Sequence, residues 1–130
     1  MSDFLLDTDV LIEVLRGNPG VLKSLEGLFG EGHVFLYSPV TRAEIFQGMR
    51  KGEEEKTNRL FQTMRCVPVD DEIGKIAGLY LRKFRKSHGL QLGDSLLAAT
   101  ARSTKAGFYT LNVRHYPMAD IRIWKEDYLS

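Results

Sequence analysis

A chain of 130 residues, 43% apolar and 27% charged, is long enough to bury one hydrophobic core and too ordinary in composition to be disordered or fibrous. Its 18 basic residues nearly balance its 17 acidic ones, so bulk positive charge does not drive nucleic-acid binding and any such contact needs a local patch. No apolar run approaches the roughly 18–20 residues of a membrane span, which excludes a membrane helix.

The opening Met-Ser-Asp-Phe-Leu-Leu-Asp lacks the basic and longer apolar stretches of a secretory leader, and lone Cys66 can form no internal disulfide. A cytoplasmic protein is therefore expected. With no repeat, low-complexity segment or linker, residues 1–130 read as a single domain.

The first β-prone apolar run covers residues 4–6, and a helix starting near Val10 follows, with Asp9 favoured as its cap. Asn18 before Pro19 reads as an N-cap with proline at the first helical position. Val21, Leu22, Leu25, Leu28 and Phe29 then trace one helical face. A second strand is expected over 34–37. Thr41-Arg42-Ala43-Glu44 has capping-box spacing and opens a helix carrying Ile45, Phe46 and Met49.

Residues 53–65 form a further helix, from three glutamates to Leu60, Phe61 and Met64. The third strand is expected over 67–69, with neighbouring Cys66 a buried, inert thiol. The clearest helix begins at Asp70 or Asp71, places Ile73, Ile76, Ala77, Tyr80, Leu81 and Phe84 on one stripe, and stops at Gly89. An alanine-rich helix from about Asp94 to Lys105 precedes strands over 108–111 and 121–124. Strands lacking strict in/out alternation, separated by helices, predict a three-layer α/β domain with a central parallel sheet of about five strands.

Such sheets bind ligands beyond the carboxyl ends of their strands. Asp7 stands there directly after the first strand, and Asn112 does so after the fourth. Glu44 and Asp94 lie near helix starts, where capping also accounts for them. Three carboxylates converging on one sheet edge would raise one another's pKa values, and a divalent cation would relieve the repulsion. All the candidate ligands offer oxygen, which suits Mg²⁺ or Mn²⁺, and no Cys/His cluster with zinc spacing exists.

His33, His88 and His115 read as satisfied or solvent-facing side chains. Arg82, Lys83, Arg85 and Lys86 read first as the solvated face of an amphipathic helix. Among scattered cations, Arg42 and Arg114 are expected nearest the acids. No nucleophile elbow, P-loop or dinucleotide fingerprint is present.

Four blocks carry a family resemblance. The segment Leu5-Leu6-Asp7-Thr8-Asp9-Val10-Leu11-Ile12 resembles the opening of PIN-domain ribonucleases. Val40-Thr41-Arg42-Ala43-Glu44-Ile45, with Gly48 beyond, resembles their second motif, and Gly93-Asp94-Ser95-Leu96-Leu97-Ala98-Ala99-Thr100-Ala101 is similar to their third. Thr110-Leu111-Asn112-Val113-Arg114-His115-Tyr116 resembles the closing block. The match runs in order through nearly the whole chain, and its size and last block look most like VapC-type toxins.

The resemblance implies an endoribonuclease in which Asp7, Glu44 and Asp94 bind Mg²⁺ or Mn²⁺ and Thr8 and Thr110 orient the acids. The family's fourth position, often Asp, falls on Asn112, one negative charge fewer. It also implies a homodimer that cuts RNA and is silenced by a cognate antitoxin protein.

Two other readings compete. Asp7-Thr8-Asp9-Val10 fits the first signature of haloacid-dehalogenase-type phosphatases, but the further acid expected four residues after Asp94 is Ala98 and Glu44 would have no role. A catalytically dead RNA-binding PIN-like module would account for the amide at Asn112, but not for three intact acids.

Overall fold

The computed structural model describes residues 2–124. Five strands, β1 (Asp3–Leu6), β2 (Val34–Tyr37), β3 (Arg65–Cys66), β4 (Gly107–Tyr109) and β5 (Arg122–Trp124), form one sheet in the order β3-β2-β1-β4-β5. Every neighbouring pair is parallel. The helices are α1 (Thr8–Leu15), α2 (Pro19–Gly30), α3 (Pro39–Gln47), α4 (Glu54–Gln62), α5 (Asp71–His88) and α6 (Leu92–Thr104).

Both faces of the sheet are covered, as the strand patterns require. Leu5 points into a core with Leu36, Phe108, Ile73, Ile76, Leu97 and Ala98, under α5 and α6. Phe4 and Leu6 point the other way, onto Val10, Leu11, Val21, Ile45, Phe61 and Tyr109. The alternation along β1 thus separates two cores, and Ala98, Ala99 and Ala101 let α6 lie close to the sheet. No helix among the described residues is long and apolar enough to cross a membrane.

Close approach also explains Gly107. A Cβ built there would lie 2.8 Å from the Phe4 ring, which is wedged edge-on against His33 and Trp124. Gly107→Ala is expected to destabilise the fold by roughly 1–3 kcal/mol through overpacking. Urea denaturation measures this, and an unchanged midpoint would mean the ring yields freely.

Local signals placed several boundaries where expected. Asn18 caps α2 with Pro19 at its first position, and Gly89 ends α5 at φ 63°. Others moved for identifiable reasons. The expected strand over 67–69 pairs instead at Arg65–Cys66, because Pro68 has no N–H to donate and Val67 N–H makes the last bond to Tyr37. Cys66 is consequently exposed on an edge strand, not buried.

The expected capping box at Thr41 is replaced by an earlier start. Ser38 Oγ accepts from Val40 N–H at 3.1 Å and Pro39 opens α3, which leaves Glu44 inside the helix with its carboxylate free of capping duty. Asp9 is likewise not the cap of α1. Asp7 is, accepting from Thr8 N–H at 2.8 Å.

Candidate active site

The strand order reverses between β1 and β4, so the crevice beyond their carboxyl ends is the place where such a sheet opens a ligand site. Asp7 follows β1 and Thr110 follows β4, and Thr110 Oγ1 donates to Asp7 Oδ2 at 2.8 Å across that gap. The ladder itself reaches the site, because Asp7 N–H donates to the Tyr109 carbonyl at 2.9 Å.

Asp7 is 6% exposed and accepts from three donors: Thr8 N–H, Thr110 Oγ1 and the Tyr116 hydroxyl at 3.1 Å. Burial raises its pKa despite those bonds, and the Asp94 charge adds to the rise. Asp94 sits in the first turn of α6. Its Oδ2 accepts from Gln91 N–H at 3.0 Å and contacts His115 Nε2 at 2.8 Å, and its Oδ1 lies 3.5 Å from the Tyr116 hydroxyl. One phenol therefore stands between the two carboxylates. Burial, then the Asp7 and Asp94 charges, hold that phenol far above its ordinary pKa, so it stays a proton donor.

Glu44 reaches the same crevice from α3. Its Oε1 accepts from Thr8 Oγ1 at 2.6 Å, and a Cβ on Gly93 would come within 3.2 Å of its Oε2. Glycine before Asp94 leaves room for this carboxylate to lie against the start of α6. Thr8 has a single hydroxyl proton, given to Glu44, so Thr41 Oγ1, 3.0 Å away, completes the chain as a donor to Thr8.

Asp9 behaves differently from the capping role expected of it. Its Oδ2 accepts from Leu111 N–H at 3.2 Å, tying α1 to the loop after β4, while Oδ1 is buried with no hydrogen-bond partner. Burial and the neighbouring Asp7 charge push its pKa up to about 7. Asn112 is exposed, and its backbone N–H donates to Thr110 Oγ1 at 3.0 Å, fixing the hydroxyl that holds Asp7. No hydrogen bond joins its side chain to the acids among the described residues.

Two contributors were given no role at the acids from the sequence, His115 and Tyr116. A 3₁₀ turn at Val113–His115 folds both back onto the acids. The available signal was the pairing of a histidine and an aromatic just after a strand-end threonine. Arg42, expected close to the acids, is occupied elsewhere: its guanidinium lies 4.2 Å over the Phe61 ring and bonds Asn58.

The donor set can be tested against a cation. Asp7, Asp94 and Glu44 offer only oxygen, burial raises the pKa of Asp7, and beside it Asp9 keeps a buried carboxylate oxygen with no partner. That chemistry fits a hard divalent ion. Among the described residues, however, no three His, Cys, Asp or Glu side chains are gathered into one ligand cage. The fit is therefore to an ion that keeps part of its water shell and takes one or two carboxylates.

Comparison with known proteins identifies the family. A model of the PIN domain matches residues 4–120. Ribonuclease VapC10 of Mycobacterium tuberculosis is 39% identical over 115 residues, covering 88% of this chain and 86% of the relative. Ribonuclease VapC19 of the same organism is 35% identical over 115 residues, covering 88% and 92%. In fold, the chain resembles the crystal structure of VapBC2 from Rickettsia felis bound to a DNA fragment from their promoter, with a TM-score of 0.79 at 19% identity over 94% of this chain and 97% of that one. Glu44, held through Thr8 at the crevice, has no place in the phosphatase reading, and the matched family excludes it. The chain belongs to the PIN-domain family, among its VapC ribonucleases.

Proposed function

We propose that this chain is a metal-dependent endoribonuclease, the toxin of a toxin–antitoxin pair, acting in the cytoplasm as a homodimer. The observation that carries the reading is the Asp7–Tyr116–Asp94 bridge at the strand-order reversal, with Glu44 held beside it. The similarity to two relatives named as ribonucleases supports RNA as the substrate.

Of Asp7, Asp94 and Glu44, one or two would hold Mg²⁺ or Mn²⁺ directly and the rest through its water shell, and the ion when bound would make water easier to ionise and offset charge on the phosphate. The protein's own part is orientation. Thr110 and Thr8 N–H fix both oxygens of Asp7, while Gln91 N–H and His115 fix Oδ2 of Asp94. Thr8 fixes Oε1 of Glu44 and leaves Oε2 without a hydrogen bond among the described residues. Asn112, in the exposed loop, is placed to present its amide to water or to the RNA strand.

The antitoxin has a seat separate from the acids. Leu22, Leu25 and Phe29 of α2, with Leu60 and Met64, line an apolar cavity of about 330 Å³, and Phe29 is 68% exposed. An apolar helix face suits that groove, and a basic side chain on the same partner would neutralise the acids.

Incubation with mixed cellular RNA tests the activity. Internal cuts are expected with Mn²⁺ or Mg²⁺ and none in EDTA. Intact RNA under both conditions would favour the dead binding module, and equal cutting in EDTA would remove the metal from the reaction. Toxicity on expression, reversed by a small co-expressed partner, is expected in the cell.

Tyr116→Phe isolates the bridge. The ring stays packed on Phe108, but Asp7 loses one donor and the two carboxylates lose their shared hydroxyl. Loss of a group that orients metal-binding side chains costs about 10- to 100-fold in affinity or activity. Weaker Mn²⁺ binding by calorimetry, with an unchanged melting temperature, is the expected signature. Wild-type affinity would assign the phenol to packing alone.

A further inference from the structure

Glu44 faces a second environment. It also lines a cavity of about 390 Å³ between α1, the end of α3, the connector to α4 and the first turn of α4. The cavity exists because α3 ends at Gly48, which contributes no side chain, before the connector turns into α4. Ile12 and Leu15 of α1 and Ile45 of α3 give it apolar walls. This volume lies in the range of about 300–1,000 Å³ typical of small-ligand sites.

Two exposed cations complete the lining, Arg16 and Arg50. Arg16 pairs with Glu13 at 3.0 Å, but its side chain is 72% exposed, and such a pair exchanges readily with a phosphate. Arg50 forms no ion pair among the described residues. The two arginines are matched by Glu44 and Glu53 on the same lining, so the interior suits an uncharged ring better than an ion. The arginines also disfavour a basic peptide. A base set against the apolar side chains, with its backbone phosphate on the guanidinium groups, uses both the apolar walls and the two cations of this site.

Building on the ribonuclease reading above, we propose that this cavity is the subsite for the nucleobase next to the scissile phosphate, with Arg16 and Arg50 holding a phosphate of the same strand. Glu44 belongs to both the acidic site and the cavity wall, so a base seated there places the adjoining phosphate beside the acids. Nucleotide preference at the cut then comes from this pocket, since the acids touch only phosphate and water.

Gly48→Phe tests the pocket by filling it. Gly48 has φ −96°, which any residue adopts, and a Cβ there meets nothing within 4 Å. Cut sites are mapped on mixed RNA for wild type, Gly48→Phe, Met49→Ala and the Arg16→Ala/Arg50→Ala double variant. A preferred flanking nucleotide is expected in wild type. Gly48→Phe should flatten that preference and raise KM about tenfold or more. The double variant should raise KM and lower its salt dependence by about one counterion per contact removed.

Met49→Ala enlarges the cavity and should shift the preference toward larger bases, which keeps the test decisive if Gly48→Phe does not fold. Unchanged preference and KM in both pocket variants would overturn the proposal. A parallel titration with AMP, GMP, CMP and UMP in EDTA separates the two readings. Wild type that binds one of them selectively, with affinity lost in Gly48→Phe, supports the pocket even if no RNA is cut, a result that would overturn the ribonuclease reading alone. Cleavage of RNA with no base preference, and no nucleotide binding, would overturn the pocket alone.

Discussion

Asp7→Asn and Asp94→Asn are each expected to lower RNA cleavage about a hundredfold or more while leaving the fold intact. The scale is that of removing one electrostatic group aimed at developing charge in a water-poor site. Both substitutions keep the size of the side chain and remove the negative charge that a cation needs. Neither should unfold the protein. Asn caps a helix about as well as Asp, and replacing buried Asp7 removes a charge that burial already disfavours. Asp94→Asn retains an oxygen for Gln91 N–H. Measured kcat/KM on a fluorogenic RNA, beside melting curves, separates lost chemistry from lost fold. Full activity of Asp94→Asn with Mg²⁺ present would remove the carboxylate pair from the mechanism.

What could be read from the chain was governed by how local each cause is. Asn18 with Pro19, and Gly89 at the end of α5, announce themselves within a few residues because capping and left-handed backbone are local properties. The parallel sheet followed from strands apolar on both faces, and the choice of Asp7 from where such sheets open, whereas Glu44 and Asp94 were singled out by the family resemblance. The start of α3 was misread because two local signals compete there, and the Ser38-Pro39 start overrides the capping-box spacing at Thr41. Pro68 was the visible warning against a strand over 67–69.

The bonds that assemble the site are another matter. Tyr116 and Asp7 are 109 positions apart, and Thr110 and Asp7 are 103 apart. No periodicity or cap encodes such a meeting. It results from β4 crossing to the far side of β1, followed by one 3₁₀ turn that returns His115 and Tyr116 to the crevice. Asp9 was misassigned for the same reason: its true partner, Leu111 N–H, lies beyond the fourth strand.

Asp9→Asn is expected to stabilise the metal-free protein at neutral to alkaline pH. In the folded chain, burial and the Asp7 charge raise the Asp9 pKa from 3.8 to about 7. Below 3.8 the folded and unfolded chains both carry the proton, and the residue costs nothing. Between these values the unfolded chain has released its proton and the folded chain still holds it, so stability falls as pH rises. Above about 7 both are ionised and the loss is complete. At about 1.36 kcal/mol per pH unit the rise is worth at most about 4 kcal/mol, and water reaching part of the side chain screens this to roughly 1–3 kcal/mol. Asn keeps an acceptor for Leu111 N–H without the charge. Urea denaturation of both proteins in EDTA, from pH 4 to pH 8.5, should give curves that coincide at the acid end and diverge above it, with the variant more stable. Adding Mg²⁺ at pH 8 should close much of the gap, because a cation beside Asp7 offsets the charge that Asp9 otherwise faces. Parallel curves across the whole range would mean that Asp9 ionises as freely in the folded protein as in the unfolded chain, and its buried Oδ1 would have to be solvated.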